Sequence, residues 1–187
     1  TRRSSDLVDA DGMIGAGRLL NESNLSPAQK LKIISSVTVG YDNYDVGYLN
    51  QKKIWLANTP HVLTETTADL AFTLLLSAAR KVPFLDHWTK QGEWKRTVGP
   101  QQFGLDVFGK TLGIIGLGNI GAAIARRGFY GFNMNIVYHN RREKPELAEP
   151  LKAQYLGLEE LLQQSDFVVT AVDLNAESKA LMGKAQF

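Results

Sequence analysis

Three glycines with the spacing G-x-G-x-x-G follow a short apolar segment in this chain of 187 residues. The apolar segment covers residues 111–115, the glycines are Gly116, Gly118 and Gly121, and residues 119–127 have the apolar spacing of an amphipathic helix. A strand, a tight turn and a helix in this order are typical of the first unit of a dinucleotide-binding α/β domain. The motif therefore predicts a parallel sheet with a phosphate-binding turn at the end of one strand.

Each glycine of the motif has its own physical role. Gly116 permits the sharp turn out of the strand, Gly118 lets the backbone approach a pyrophosphate, and Gly121 lets the helix pack closely on the sheet. The phosphates would lie over the first helical turn, which includes Asn119 and Ile120 and presents the positive end of the helix dipole. We therefore predict that these residues bind the cofactor. The alternative is a glycine turn in an unrelated βα unit.

The end of the next predicted strand bears on the choice of nicotinamide cofactor. In this fold an acidic residue about twenty positions after the glycines holds the ribose of NAD, whereas an arginine accommodates the 2′-phosphate of NADP. Here the strand at residues 136–138 is followed by His139, Asn140, Arg141 and Arg142. The acid is absent, and a guanidinium can bind a phosphate through two charge-assisted hydrogen bonds. We predict that these four residues bind the cofactor and favour NADPH (NADP) over NADH; the alternative is a solvated pair of arginines.

Short apolar strands alternate with helical stretches along the chain. The first half has predicted strands at residues 12–14, 32–37 and 54–57, with short helices at residues 26–30 and 44–50. After the glycine motif the pattern predicts only two more strands, at residues 136–138 and 167–172, and a helix at residues 158–164. This alternation predicts an α/β chain with two Rossmann-like or flavodoxin-like parallel-sheet domains. Because a doubly wound domain has about six strands, we expect both domains to be incomplete in this chain.

The longest helical pattern covers residues 64–81, where small and medium apolar residues recur at intervals of three and four. These residues predict a helix buried on several sides. A polar and aromatic stretch follows it. We therefore expect a substrate domain at residues 1–85 that includes this interdomain helix, a connecting arm at residues 86–107, and an NADP-binding Rossmann domain at residues 108–187, in which Gly128 caps the helix after the glycine motif.

The composition excludes several functional classes. The chain has no cysteine, which removes disulfides, thiolate chemistry and cysteine-bearing metal sites, and we expect no metal site. The formal net charge is only +2, with basic residues scattered among nearly as many acids, so we expect no nucleic acid partner. No apolar run reaches the length of a membrane span, and the first residues lack the pattern of a secretory signal. We expect a cytoplasmic protein that does not contact a membrane.

Three further segments, together with the glycine motif, resemble one enzyme family. They are S-V-T-V-G-Y-D-N-Y-D-V at residues 36–46, A-N-T-P at residues 57–60 and T-A-D-L at residues 67–70. In this order they resemble the D-isomer-specific 2-hydroxyacid dehydrogenases, and within that family the glyoxylate/hydroxypyruvate and 2-ketogluconate reductase branch. The resemblance covers nearly the whole chain.

The resemblance implies several site residues that the motif alone does not indicate. It implies that the N–H groups of Val39 and Gly40 bind the substrate carboxylate. Leu63 would contact the substrate and Thr67 the cofactor, near the nicotinamide end. Ala171 and Val172 would line the adenosine side of the cofactor. The aromatic arm at residues 86–107 resembles the part of the family that forms a homodimer, although core and loop aromatics would look the same.

For the whole enzyme, the resemblance implies NADPH-dependent reduction of a small 2-oxo acid such as glyoxylate, hydroxypyruvate or 2-ketogluconate to the D-2-hydroxy acid. The arginine, glutamate and histidine that catalyse this reaction in the family belong to segments that do not occur in this sequence, so no catalytic residue is assigned here. We expect this piece alone to be inactive. The alternatives are a non-catalytic, dinucleotide-sensing relative similar to the corepressors of the family, or an inactive fragment.

Overall fold

Residues 7–15 and 17–186 are described by the computed structural model, and they divide into two units. Unit 1 contains the residues up to Leu63 together with Asp173–Leu181, and unit 2 contains Thr64–Val172 with the residues from Met182 onward. Each unit has its own parallel sheet, which confirms the predicted α/β class. Within these ranges no helix combines the length and the apolar composition that crossing a membrane requires.

The elements of unit 1 are β1 (Gly12–Gly15), α1 (Glu22–Leu25), β2 (Ile33–Ser36), α2 (Val46–Gln51) and β3 (Trp55–Ala57). The three strands form a parallel sheet in the order β1-β2-β3. The predicted strands and the helix near residues 44–50 are confirmed. Ile34 of β2 is buried together with Leu25 and Leu49 of the two helices. Because the strands are parallel, the turns after β2 and β3 are neighbours at one edge of the sheet.

The first helix of unit 1 lies earlier in the chain than the sequence pattern indicated. The predicted helix at residues 26–30 is wrong, because α1 ends at Leu25. The side-chain oxygen of Asn24 accepts a hydrogen bond from the N–H of Asn21 at 3.1 Å, which fixes the first turn at this position. Pro27 follows shortly after and lacks the N–H that a further turn would use.

A long helix, α3 (Thr64–Ala79), opens unit 2 and confirms the predicted helical pattern. The prediction that it is buried on several sides is wrong for the described residues. Ala68 and Phe72 are buried, whereas Leu70 and Leu74 are each 60% exposed. The sequence assigned this helix to the first domain, but in the structure it packs on unit 2, mainly against the helix after the glycine turn.

A second helix, α4 (Val82–Lys90), follows α3 almost directly and was not expected from the sequence. Lys81 separates the two helices with a left-handed backbone (φ 54°). Pro83 lies in the first turn of α4. Backbone N–H groups in the first turn have no partner within the helix, so the N–H that proline lacks is not needed there. The proline therefore starts a helix here instead of ending one.

The sheet of unit 2 has four parallel strands, which are β4 (Thr111–Ile115), β5 (Asn135–His139), β6 (Gln154–Tyr155) and β7 (Phe167–Thr170). Their order in the sheet is β6-β5-β4-β7. The sequence predicted three of them and missed β6, which has only two residues. β4 lies inside the sheet, and its residues Leu112 and Ile114 are fully buried against a cluster that includes Ile124. The α-helices that follow α4 are α5 (Asn119–Arg126), α6 (Pro145–Ala148) and α7 (Leu158–Gln164).

The prediction that Gly128 caps the helix after the glycine motif is wrong. The chain continues from α5 into a π-helix at Arg127–Gly131, and Gly128 lies inside it. A Cβ atom on Gly128 would lie 2.9 Å from Cδ2 of Leu112 and 3.2 Å from the sulfur of Met134. The glycine is therefore needed for close packing on the sheet and not for ending a helix.

A cluster of charged side chains joins α3 to the end of α5. Arg126 donates a hydrogen bond to Glu65 at 2.6 Å, and Arg127 donates to the second carboxylate oxygen of Glu65 at 2.9 Å. The Nε of Arg127 also donates to Asp69 at 2.9 Å. Arg127 is the most buried member, with 22% of its side chain exposed. The cluster fixes α3 beside the helix that carries the glycine motif.

We expect acid to weaken this attachment. Hydrogen bonds from Arg126 and then Arg127 lower the pKa of Glu65 below its ordinary value. A carboxyl whose pKa is lowered by folding stabilises the folded state above its unfolded pKa, so this contribution is lost as pH falls below about 4.3 and through the lowered pKa. Glu65→Gln should therefore lower the melting temperature slightly at about pH 7 and have less effect at about pH 3.5.

Thermal unfolding of the wild type and of Glu65→Gln at the two pH values measures this effect. Glu159→Gln on α7 is the matched control, because Glu159 forms no ion pair with any residue that the structure describes. An equal change at both pH values in Glu65→Gln would contradict the assignment of the stabilisation to the ionised carboxylate.

Candidate functional site

The turn between β4 and α5 has the backbone geometry that the motif predicts. Gly116 has φ +100°, in the left-handed region, and a Cβ atom on it would lie 2.4 Å from the carbonyl oxygen of Ala171. A Cβ atom on Gly121 would lie 2.1 Å from the carbonyl oxygen of Gly116. The backbone itself therefore excludes side chains at these two positions.

Gly118 differs from the other two glycines because its surroundings leave room for a side chain. Its φ and ψ of −106° and −159° are open to any residue, and a Cβ atom would have no neighbour within 4 Å. Gly118 is the N-cap of α5, whose first turn contains Asn119 and Ile120. The dipole and the outward N–H groups of a helix N-terminus favour an anion at this position. The open space beside Gly118 therefore admits a negatively charged group close to the backbone.

Hydrogen bonds join the end of β5 to the glycine turn. The N–H of Gly116 donates to the carbonyl of His139 at 2.9 Å. The N–H of Leu117 donates to Oδ1 of Asn140 at 2.6 Å, and Nδ2 of Asn140 donates to the carbonyl of Leu117 at 3.2 Å. The structure thus brings His139 and Asn140, two of the predicted cofactor residues, directly to the turn.

The ring of His139 is held in one orientation. Its Nδ1 lies 2.9 Å from the carbonyl oxygen of Leu156, and because a carbonyl oxygen only accepts, this nitrogen carries a proton. The ring stacks on Tyr155 with an interplanar angle of 12°. The hydroxyl of Tyr155 donates to the carbonyl of Asn140 at 3.0 Å. These contacts fix the strand end from which the two arginines emerge.

Arg141 and Arg142 are exposed at the start of the loop after β5. No acidic residue lies between the strand and these arginines, and the next acid in the sequence, Glu143, follows both. The strand end therefore presents two guanidinium groups where an NAD-binding domain of this fold carries a carboxylate.

The residues after β7 pack against the glycine turn. The N–H of Ala171 donates to the carbonyl of Ile115 at 2.8 Å. A Cβ atom on Gly116 would lie 2.8 Å from Cγ1 of Val172. The glycine turn, the end of β5 and Ala171–Val172 therefore meet at the carboxyl edge of the unit 2 sheet, which is where ligands bind in open α/β sheets.

Two other predicted site residues belong to the segment around the start of α3. Thr67 is exposed on α3. Leu63 belongs to unit 1, directly precedes α3 in the chain and is 42% exposed. Their roles at the nicotinamide end stay predictions.

The carbonyl groups of the turn after β2 in unit 1 accept hydrogen bonds from neighbouring residues. Nδ2 of Asn58 donates to the carbonyl of Val39 at 2.8 Å, and the hydroxyl of Thr38 donates to the carbonyl of Gly40 at 2.8 Å. The N–H of Thr59 donates to the carbonyl of Thr38 at 3.2 Å. By contrast, the N–H groups of Val39 and Gly40 donate to no residue that the structure describes. Two successive N–H groups of this kind favour an anion.

Sequence reasoning did not anticipate the side chains that shape the two turns. Thr38 and Asn58 were recognised as parts of family motifs without a role of their own, and the bonds from Asn140 to Leu117 were not expected. Asparagine immediately after a strand is a usable signal, because its amide can donate and accept and so complete a neighbouring peptide group. Which peptide it completes depends on the fold.

Comparison with known proteins settles the family. Residues 72–187 match the family model described as "D-isomer specific 2-hydroxyacid dehydrogenase, NAD binding domain", which is more than half of the chain. The chain belongs to this family. The resemblance noted in the sequence is thereby confirmed.

The relatives include several glyoxylate/hydroxypyruvate reductases. The chain is 46% identical to glyoxylate/hydroxypyruvate reductase B of Enterobacter sp. over 180 residues, which is 96% of this chain and 56% of the relative. It is 43% identical to the reductase of the same name from Klebsiella pneumoniae, over 100% of this chain and 58% of the relative. The chain thus spans somewhat more than half the length of these curated relatives.

Two solved structures are similar in fold and in sequence. A glyoxylate reductase from Paecilomyes thermophila matches with a TM-score of 0.85 and 33% identity, over 98% of this chain and 56% of that one. An NADPH-dependent glyoxylate/hydroxypyruvate reductase from Sinorhizobium meliloti, in complex with NADP and malonate, matches with a TM-score of 0.81 and 34% identity, over 93% of this chain and 53% of that one.

Proposed function

We propose that this chain is part of an enzyme that uses NADPH to reduce a small 2-oxo acid to the D-2-hydroxy acid. The substrate class includes glyoxylate, hydroxypyruvate and 2-ketogluconate. The observation that carries the proposal is the edge of the unit 2 sheet, where a glycine turn with open space beside Gly118 lies next to a strand end with two arginines and no acid. Membership of the dehydrogenase family and the reductase relatives support it.

The cofactor proposal assigns one task to each part of this edge. The turn from Gly116 to Gly121 holds the pyrophosphate over the N-terminus of α5. Arg141 and Arg142 bind the 2′-phosphate, and Ala171–Val172 lines the adenosine side. NADPH is preferred because the arginines bind its 2′-phosphate dianion, a group that NADH lacks. The relative from Sinorhizobium meliloti, whose structure contains NADP, supports this assignment.

The substrate proposal assigns the carboxylate to unit 1. The N–H groups of Val39 and Gly40 hold the carboxylate of the 2-oxo acid, in a turn shaped by Thr38 and Asn58. Leu63 contacts the substrate and Thr67 the nicotinamide end of the cofactor. The carboxylate of malonate in the structure of the relative is the type of group that such a turn would hold.

Reduction needs a hydride at the carbonyl carbon and a proton at the carbonyl oxygen. The reduced nicotinamide, when bound, supplies the hydride. The residues of this chain bind and orient the two reactants, and we assign the proton donor to none of them. The arginine and the glutamate–histidine pair that the family uses belong to segments outside this sequence, so we expect the 187-residue chain alone to be inactive.

The full-length protein tests the proposal in a reductase assay. Oxidation of NADPH is followed with glyoxylate, hydroxypyruvate and 2-ketogluconate, and each reaction is repeated with NADH. We expect turnover with at least one substrate and a higher kcat/KM with NADPH. Binding of NADPH without turnover of any 2-oxo acid would instead indicate a dinucleotide sensor, and failure to bind either cofactor would overturn the proposal.

Replacing Asn58 tests the carboxylate turn. In Asn58→Leu the carbonyl of Val39 loses its donor, so the turn relaxes and we expect the KM for the 2-oxo acid to rise about fivefold. The affinity for NADPH should not change. Steady-state kinetics with the full-length protein measure both, with Asn50→Leu as control, because Asn50 is an exposed amide on α2 outside the turn. An unchanged KM in Asn58→Leu would contradict the role of this turn.

We also propose that the protein acts as a cytoplasmic homodimer. Several large apolar residues of unit 2 are exposed in the described chain, including Leu70 and Leu74 on α3 and Trp94 and Phe103 in the arm at residues 86–107. A second copy would cover this kind of surface. Light scattering of the full-length protein measures its mass in solution, and a monomeric mass would contradict the dimer.

A further inference from the structure

Two peptide groups join Leu117 to the glycines on either side of it, Gly116 and Gly118, and both are enclosed by the protein. Leu117 is fully buried, with 0% of its surface exposed. Buried peptide N–H and carbonyl groups need hydrogen-bond partners, because leaving one unpaired costs more than the bond itself contributes. The side chain of Asn140 supplies the partner for both, at 2.6 Å to the N–H and 3.2 Å to the carbonyl.

The side-chain amide of Asn140 thus forms the two hydrogen bonds to Leu117 that the backbone of one more β5 residue would form. The ladder between β4 and β5 ends with the bond from the Gly116 N–H to the His139 carbonyl. One residue further along, the amide of Asn140 pairs with Leu117 as a backbone peptide would. The carbonyl of Asn140 is itself held by the hydroxyl of Tyr155 at 3.0 Å. The position of the turn is therefore tied to β5 and β6 through this residue.

We infer that Asn140 is a positioning residue, which holds the pyrophosphate-binding turn in place and does not read the 2′-phosphate. Its acceptor and one of its donor hydrogens are committed to Leu117. The residue that Leu117 leads into is Gly118, where the space for the pyrophosphate lies. The inference rests on the proposed function, since it requires a dinucleotide at this turn.

This role has a consequence that separates Asn140 from its neighbours in the sequence. The pyrophosphate is common to NADPH and NADH, so loosening the turn must weaken both cofactors by the same factor. Arg141 and Arg142 act on the 2′-phosphate, so their loss changes the ratio of the two affinities. The ratio of the NADPH and NADH affinities therefore distinguishes a residue that contacts the 2′-phosphate from one that only holds the turn in place.

Titration of the full-length protein with NADPH and with NADH tests the inference. Asn140→Ala should weaken both cofactors about tenfold and leave their affinity ratio within about twofold of wild type. Asn140→Leu, which keeps the branched shape of the side chain but makes neither bond, should do the same. Asn135→Ala is the matched control, because Asn135 is an exposed asparagine at the other end of β5. The melting temperature without ligand is measured for each variant to show that it is folded.

Each result decides between the possible roles. Equal weakening of both cofactors in a folded variant supports the positioning role. Loss of NADPH affinity alone would overturn it, because Asn140 would then contact the 2′-phosphate, and unchanged affinities would overturn it as well. If Asn140→Ala does not fold, the same criteria apply to Asn140→Leu, and failure of both to fold would make Asn140 a determinant of the fold instead. A wild-type protein that binds neither cofactor would contradict the proposed function itself.

Discussion

Replacing Arg141 and Arg142 together with alanine should weaken NADPH binding by about 100-fold and leave NADH binding within about twofold of wild type. Each guanidinium can form charge-assisted hydrogen bonds to the 2′-phosphate, and such bonds are roughly twice as strong as those between neutral groups. Both side chains are exposed after β5, so their removal should not disturb the fold. Equilibrium titration with the two cofactors measures the change.

The ionic strength provides a second check on the arginines. Salt screens interactions between exposed charges, so the affinity for NADPH should fall more steeply with added salt than the affinity for NADH, and the double variant should lose this difference. Arg96→Ala is the control, because Arg96 is an exposed arginine distant in sequence from the loop. An equal loss of NADPH and NADH in the double variant would contradict the assignment of the 2′-phosphate to these side chains.

Two substitutions of glycine by alanine should change different properties of the protein. Gly121→Ala should lower its stability, and Gly118→Ala should weaken cofactor binding. Gly121→Ala places a Cβ atom 2.1 Å from the carbonyl oxygen of Gly116, so the helix must move away from the sheet. We expect a loss of about 3 kcal/mol or more in the free energy of unfolding. Gly118→Ala meets no atom of the protein and should leave the stability nearly unchanged. Its methyl group would instead occupy the space of the pyrophosphate and weaken both cofactors at least about tenfold.

Denaturant unfolding and cofactor titration of the two variants measure these effects. The pair is its own control, since the substitution is the same and only the position within the motif changes. A stable Gly118→Ala variant with normal affinity for both cofactors would contradict the placement of the pyrophosphate beside Gly118. A fully stable Gly121→Ala variant would contradict the close contact between the helix and the turn.

The local pattern of the chain was sufficient to predict the strand, turn and helix around the glycine motif. Each of these elements follows from short-range features, namely an apolar run, glycine at fixed spacing and a helical period. The same reasoning missed α4, where Pro83 lies in the first turn of a helix, and β6, where two residues are too few to form a pattern. It also misplaced α1, because the bond between Asn21 and Asn24 fixes the first helical turn before the predicted position.

The placement of the predicted cofactor residues follows from the order of the strands. The sequence indicated that residues after three different strands serve one cofactor, and the structure brings Gly116, His139 and Ala171 together at one sheet edge. The roles of Asn58 and Asn140 could not be predicted, because each side chain bonds a peptide about twenty positions away in the sequence. Such bonds depend on the register of neighbouring strands, which only the folded chain determines.

Calorimetric titration of the wild-type full-length protein with NADPH and with NADH, at one ionic strength, tests the central proposal most directly. The missing acid and the two arginines at the end of β5 predict that NADPH binds at least about tenfold more tightly than NADH. Equal affinities, or tighter binding of NADH, would contradict the reading of this strand end as a 2′-phosphate site.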